Sequence, residues 1–138
     1  MALRLAGRQE DRSILHRCLF VHAETLGWTE RVSERLLLAE RLLQGGRSAG
    51  DRGAVCDGLH VRALAKLTLG DREGFEADRQ ELRRLSSESD FWYPRAFVPL
   101  WEGVSAMMDG RWEDVEPAVA ALLSHASHEP NMQNLAAG

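Results

Sequence analysis

The sequence predicts an all-α fold of about six helices, paired as antiparallel hairpins that stack into a right-handed solenoid. Glycines separate the helix-forming runs, and three of them, Gly27, Gly70 and Gly110, recur at intervals of 43 and 40 residues. Apolar residues return at helical spacing, whereas the two-residue alternation typical of strands is absent over any useful length. With 138 residues, the chain is expected to form a single domain, 1–138.

The first two helices are predicted at 11–26 and 29–43. The apolar face of the first comprises Ile14, Leu15, Cys18, Leu19, Val21 and Leu26. Thr29 is the candidate N-cap of the second, because a short hydroxyl can accept a backbone N–H there. The apolar stripe of the second helix comprises Val32, Leu36, Leu37, Ala39, Leu42 and Leu43. The glycine pair Gly45 and Gly46 is expected to end this helix, with a loop over 46–50.

The third and fourth helices are predicted at 51–69 and 72–85. Each follows an aspartate, Asp51 or Asp71, whose carboxylate can cap the helix N-terminus. The residues expected to face inward are Val55, Leu59, Val61, Leu64, Ala65, Leu67, Phe75, Ala77, Leu82 and Leu85.

The fifth and sixth helices are predicted at 91–108 and 111–125. The fifth is the most aromatic, and the sixth contains Pro117. Since proline has no N–H, we expect the sixth helix to start near Asp114, where the missing donor falls among those that a first turn leaves free. Partial helices are expected at 1–8 and 131–138, without polar caps, as in a window of a longer array or a chain whose ends a partner covers.

A repeated pattern surrounds the three spaced glycines. A large apolar residue follows each glycine by five positions, and a branched aliphatic residue precedes it by six: Val32, Phe75 and Val115; Val21, Leu64 and Val104. Glycine can adopt the left-handed conformation that ends a helix, so that the next helix turns back. The repeats are expected at about 11–45, 51–86 and 91–126, and each pair needs a neighbour to shield its second apolar face.

These residues resemble the tetratricopeptide-like helical region of large bacterial regulators, namely ATP-binding LuxR-type and SARP-type transcriptional regulators and ATPase-linked adenylate cyclases. The matching stretches are ERLLLAERLL (34–43), AGDR (49–52), LGDREGFEAD (69–78), WYPRA (92–96) and DGRWEDVE (109–116). The resemblance implies signal relay by protein contact. Nucleotide binding, DNA binding and cyclase activity lie in other domains of that family, and their motifs are absent from this chain.

Composition narrows the classes of partner. The net charge is −4, and the arginines are interleaved with acids, which argues against direct nucleic-acid binding. No apolar run approaches the roughly 20 residues that span a bilayer. The N-terminus lacks a signal-peptide pattern, so a cytoplasmic protein is expected. Arginine outnumbers lysine 16 to 1, which we interpret as the coding bias of a GC-rich bacterium.

The candidate partner-binding residues come from the first helix of each hairpin, which lines the concave groove of a right-handed superhelix. They are Arg17, Arg62, Trp92, Tyr93, Arg95 and Glu102. Trp, Tyr and Arg dominate the hot spots of protein interfaces. No catalytic residue and no cofactor are expected.

Two thiol–imidazole pairs offer a different chemistry. Cys18 and His22, and Cys56 and His60, each lie one helical turn apart, and together they have the ligand types of a Cys2His2 zinc site. Cysteines in apolar helical stretches more often belong to the core, which is the interpretation we favour.

The predicted function is therefore that of a protein-interaction scaffold from a bacterial signalling or transcriptional regulator, and not an enzyme. Its partner would be a protein or peptide segment, another domain of a parent regulator, or a second copy bound through the uncapped ends. The alternative is a helical domain that binds a small molecule or a metal.

Overall fold

The computed structural model describes residues 12–26, 31–88 and 92–126, and every regular element in these ranges is an α-helix. The six helices are α1 Arg12–Thr25, α2 Val32–Ala49, α3 Arg52–Thr68, α4 Arg72–Ser87, α5 Trp92–Met108 and α6 Trp112–Ala126. The all-α prediction is thus confirmed for this part of the chain. The predicted helices 1–8 and 131–138, the N-cap Thr29 and the C-cap Gly27 lie outside the described residues.

The chain divides into two compact units, 1–85 and 86–138. In the first unit, α2 packs along α3, and α1 packs against both. In the second unit, α5 packs against α6. The single-domain organisation of residues 1–138 stays a prediction.

The core of the first unit lies where α1, α2 and α3 meet. It consists of Leu19, Ala23, Leu26, Leu38, Ala39, Leu42 and Val61, with Leu15 and Phe20 packed at its edge. Four residues predicted to face inward, Ile14, Val21, Leu37 and Ala77, are instead exposed. The helices α1 and α2 carry apolar residues around more than one face, so the periodic pattern alone does not decide which face meets the neighbouring helix.

The predicted glycine caps at Gly70 and Gly110 are confirmed. Their φ angles are +75° and +71°, in the left-handed region. The amide of Gly70 donates to the Leu67 carbonyl at 3.1 Å, and the next amide reaches Lys66 at 2.9 Å. Gly110 and the residue after it repeat this pattern. Both helices therefore end in a Schellman motif, which satisfies carbonyls that would otherwise lack donors.

The aspartate caps are confirmed as well. The Asp51 carboxylate accepts the amide of Ala54 at 3.0 Å, and Asp71 accepts that of Gly74 at 2.9 Å. Each aspartate follows a left-handed glycine directly. The same short segment thus ends one helix and starts the next.

The predicted helix end at Gly45 and Gly46 is wrong. The helix α2 runs on to Ala49, and the left-handed residue that ends it is Gly50, at φ +66°. Both glycines lie inside the helix, at positions where neighbouring segments leave too little space for a side chain. A Cβ on Gly46 would lie 2.9 Å from the Val55 Cγ2, and one on Gly45 would lie 2.7 Å from the His16 Nε2.

Two predicted helix starts also need correction. The helix α2 begins at Val32, three residues after Thr29, and Arg31 at its N-cap makes no side-chain capping bond. The helix α6 begins at Trp112 and not near Asp114, so Pro117 lies in its second turn and removes the donor that the Glu113 carbonyl would otherwise receive. Pro117 is exposed, so water can solvate that carbonyl.

Candidate functional site

The second unit has an apolar surface along its last described helix. Trp112, Val119 and Leu123 lie on one face of α6, at spacings of seven and four residues, and are 67%, 47% and 49% exposed. We call these three residues the α6 stripe. Val115 and Leu122 border it and are partly exposed.

Small residues, by contrast, make the contact between α6 and α5. Ala118 is the one fully buried residue among those described in α6. A Cβ added to Gly103 of α5 would lie 3.4 Å from the Ala118 Cβ, so the two helices approach closely at this point. The three residues of the α6 stripe are thus exposed, whereas Trp101 of α5 is buried.

The structure gives Arg62, a predicted partner contact, a bonding role between helices. Its Nε and Nη2 donate to the two carboxylate oxygens of Asp78 at 2.9 and 2.7 Å, and its Nη1 donates to Glu40 at 2.9 Å. Burial opposes the charged form, but these hydrogen bonds prevail and raise the pKa of Arg62. The guanidinium thus ties α3 to both α2 and α4.

The other predicted partner residues are distributed over both units. Arg17 is exposed on α1, and Glu102 is partly buried on α5. Trp92, Tyr93 and Arg95 belong to the first turn of α5, but their side chains lie outside the described part of the structure. Their assignment to a partner surface stays a prediction.

A hollow of about 380 Å³ opens on the first unit between the start of α1 and the start of α3. Its polar side chains are His16, Arg17, Asp51 and Asp57. We call it the Asp57 hollow. His16 is buried, and its Nδ1 lies 3.0 Å from the Asp51 Oδ2. Because Asp51 also caps α3, its position is set by contacts on two sides.

The two carboxylates of the hollow differ in their surroundings. Burial works to raise the pKa of Asp51, but hydrogen bonds from the Ala54 amide and from His16 outweigh it, so the pKa is lowered. Burial raises the pKa of Asp57 to about 7, and the nearby positive charge of Arg17 offsets only part of this. Within the described structure, the Asp57 carboxylate makes no hydrogen bond or close ion pair.

The thiol–imidazole pairs lie on α1 and α3 of the first unit. Cys18 is partly buried, whereas Cys56 and His60 are fully buried. Burial raises the pKa of the Cys56 thiol to about 11, and burial together with the Arg35 charge lowers the pKa of His60 to about 3. In the described ranges, no group of three or more His, Cys, Asp or Glu side chains is arranged to hold a metal ion.

Two surfaces were missed from the sequence alone. Asp57 lies in the mostly apolar or small run AVCDGLHV (54–61), and a carboxylate in such a run is a signal of an unusual environment. For α6, apolar residues on two sides of one helix were visible, but which side would pack on α5 was not. His16 carried no sequence signal, since its partner Asp51 lies 35 residues away.

Comparison with known proteins adds no relative. No family model, curated protein or solved structure matches the chain. Among the helices described here, none is long and apolar enough to cross a membrane.

Proposed function

We propose that the chain is a tetratricopeptide-like interaction module that binds a helical segment of a partner protein along the α6 stripe. The observation that carries this proposal is the exposure of Trp112, Val119 and Leu123 on one helical face. An apolar stripe with this spacing is the surface that a second amphipathic helix covers. The proposal includes the solenoid arrangement and the role in a bacterial regulator that the sequence predicts.

The composition of the stripe supports a protein partner. Tryptophan is enriched at interface hot spots, and leucine and valine add apolar area that water leaves on binding. Acidic residues, Glu113, Asp114 and Glu116, are exposed beside the start of the stripe. A partner helix with apolar residues at three- and four-residue spacing and basic residues on its flank would match this surface.

A pair of variants tests the proposal. Leu123→Glu places a charge in the stripe, and Leu37→Glu makes the same change at a residue of the first unit that is 67% exposed. We expect proteins captured from the source cell by the wild-type chain to be kept by Leu37→Glu and lost with Leu123→Glu. If the partner is a second copy, sedimentation of the purified chains over a range of concentrations should show self-association of the wild-type chain and of Leu37→Glu but not of Leu123→Glu.

Two outcomes would contradict the proposal. One is equal capture and equal self-association by the wild-type chain, Leu37→Glu and Leu123→Glu, since the stripe would then contribute nothing to binding. The other is loss of binding with Leu37→Glu alone, which would place the partner on the first unit. Circular dichroism of each variant establishes that the helices are intact before binding is compared.

A further inference from the structure

The Asp57 hollow is a second surface of the chain, separate in its residues from the α6 stripe. It combines a cavity of about 380 Å³ with a carboxylate that is 9% exposed and makes no hydrogen bond or close ion pair with the described residues. Because it is unpaired and not fully enclosed, this carboxylate is open to solvent through the hollow. Here that group lines an opening large enough for a small molecule or a long side chain.

We propose that this hollow binds an organic cation, an ammonium or guanidinium group that pairs with the Asp57 carboxylate. An ionised Asp57 carboxylate attracts a cation and repels an anion. The negative charges of Asp51 and Glu24 raise the pKa of Asp57, and the positive charge of Arg17 lowers it. Asp51 is already bonded to His16 and to the Ala54 amide, which leaves Asp57 as the carboxylate open to a ligand.

Arg17 does not itself form an ion pair with Asp57. Arg17 borders the hollow but is exposed, and it forms no ion pair within 4.0 Å of Asp57. An arginine in solvent gains little from a distant carboxylate, because water screens the attraction. A ligand cation inside the hollow would meet Asp57 where water is partly excluded and the attraction is stronger.

The pH dependence follows from the charge state of Asp57. With its pKa at about 7, the carboxyl is mostly protonated at pH 6 and mostly ionised at pH 8. The groups that face it are His16, Arg17 and Glu24 on α1 and Asp51 before α3. A cation binds the ionised form, so affinity should rise about tenfold between pH 6 and pH 8, with release of a proton on binding.

The test is a nuclear magnetic resonance titration of the full chain with ethylguanidinium and, separately, with a capped Gly-Gly-Arg-Gly-Gly peptide. We expect the amide signals of residues 54–57 to shift, with about tenfold tighter binding at pH 8 than at pH 6. Binding of ethylguanidinium as tight as that of the peptide shows that the hollow recognises the cationic group alone, as it would in a free small molecule. Saturation by the peptide alone indicates a basic side chain of a partner.

Two variants of opposite sign make the test decisive. Asp57→Asn removes the charge with little change of shape and should abolish binding and its pH dependence. Arg17→Met removes the competing positive charge and should tighten binding several-fold at pH 9, where Asp57 stays ionised even though the loss of Arg17 raises its pKa. Binding that persists in Asp57→Asn, that is equal at pH 6 and pH 8, or that weakens at pH 9 in Arg17→Met would overturn the proposal. None of these outcomes depends on the α6 stripe.

Discussion

Three polar residues of the first unit have unusual environments: Arg35, Asp57 and His60. Arg35 is 1% exposed, and its guanidinium donates to the Leu26 carbonyl at 3.4 Å and to Glu24 at 3.3 Å. It therefore ties the end of α1 to α2. Burial, together with the Arg35 charge, lowers the pKa of His60, and burial raises the pKa of Asp57 to about 7, so that its carboxyl is about half protonated at neutral pH. The two titrating groups are shifted in a sense that disfavours charge.

These shifts predict two opposite pH dependences of stability. The folded pKa of Asp57 is about 7 against an ordinary 3.8, so its contribution is present below pH 4 and is lost as pH rises to 7. The folded pKa of His60 is about 3 against 6.5, so its contribution is present above pH 6.5 and is lost as pH falls to 3. Each amounts to roughly 4 kcal/mol, and in the wild-type chain they nearly cancel between pH 4 and 6.5.

Urea unfolding from pH 3 to pH 8 separates the two groups when variants are compared with the wild-type chain. Relative to Asp57→Asn, the wild-type chain should lose free energy of unfolding as pH rises from 4 to 7. Relative to His60→Gln, it should gain free energy as pH rises from 3 to 6.5. Difference curves that are flat with pH would show that neither group is shifted.

At the scale of the helices, glycines have two separate uses. Gly50, Gly70 and Gly110 adopt positive φ and end helices. Gly46 and Gly58 instead lie within α2 and α3, where a side chain of the opposite helix occupies the space a Cβ would need. Val55 lies over Gly46, and Leu43 lies over Gly58. The contact between α2 and α3 thus depends on a glycine in each helix, each facing a side chain of the other.

Gly58→Ala should therefore destabilise the chain. A Cβ there would lie 2.8 Å from the Leu43 Cγ and 3.1 Å from its backbone nitrogen, so the helices must separate. We expect a loss of about 1–3 kcal/mol from overpacking, although alanine by itself favours a helix over glycine by about 1 kcal/mol. Chemical denaturation measures the difference.

Gly103→Ala is the matched control, since it makes the same change inside a helix where the nearest atom is at an ordinary 3.4 Å. It should leave stability unchanged or raise it by up to about 1 kcal/mol. Equal stability of the two variants would mean that α2 and α3 can move apart without cost.

At the scale of the whole molecule, charged groups join elements that are distant in sequence, in the part of the first unit described here. Asp78 of α4 is 2% exposed and accepts from Arg62 and Lys66 of α3. Arg62 also reaches Glu40 of α2, and a second pair joins Arg47 to Glu81 at 3.0 Å. Although the net charge is only −4, ion pairs join the helices α2, α3 and α4.

Asp78→Asn should lower the free energy of unfolding by about 2–4 kcal/mol, because it removes a buried carboxylate that pairs with Lys66 and, together with Glu40, with Arg62. The loss should persist at high salt, since a buried pair is screened little. Asp114→Asn is the control, because it breaks an ion pair with Arg111 at the surface and should leave the unfolding midpoint unchanged. Equal effects of the two substitutions would show that the Asp78 cluster is solvated.

The sequence by itself determined the all-α class, the approximate bounds of six helices and the caps at Asp51, Asp71, Gly70 and Gly110. These features depend on interactions within a few residues, such as a carboxylate bonding an amide three positions ahead or a glycine adopting positive φ. The assignment of Arg17, Arg62 and the other candidate residues to a partner surface stays a prediction. Arg17 borders the Asp57 hollow, Arg62 is bonded between helices, and the α6 stripe was not predicted from the sequence.

Only the tertiary structure decided why Gly45 and Gly46 remain helical, which face of α1 is buried, and that Asp57 opens into a hollow with His16 and Asp51. Each of these depends on atoms brought together from segments far apart in the chain. The local sequence indicates which secondary structure a segment can form. Contact with a neighbouring helix decides which glycine ends a helix and which one allows close packing.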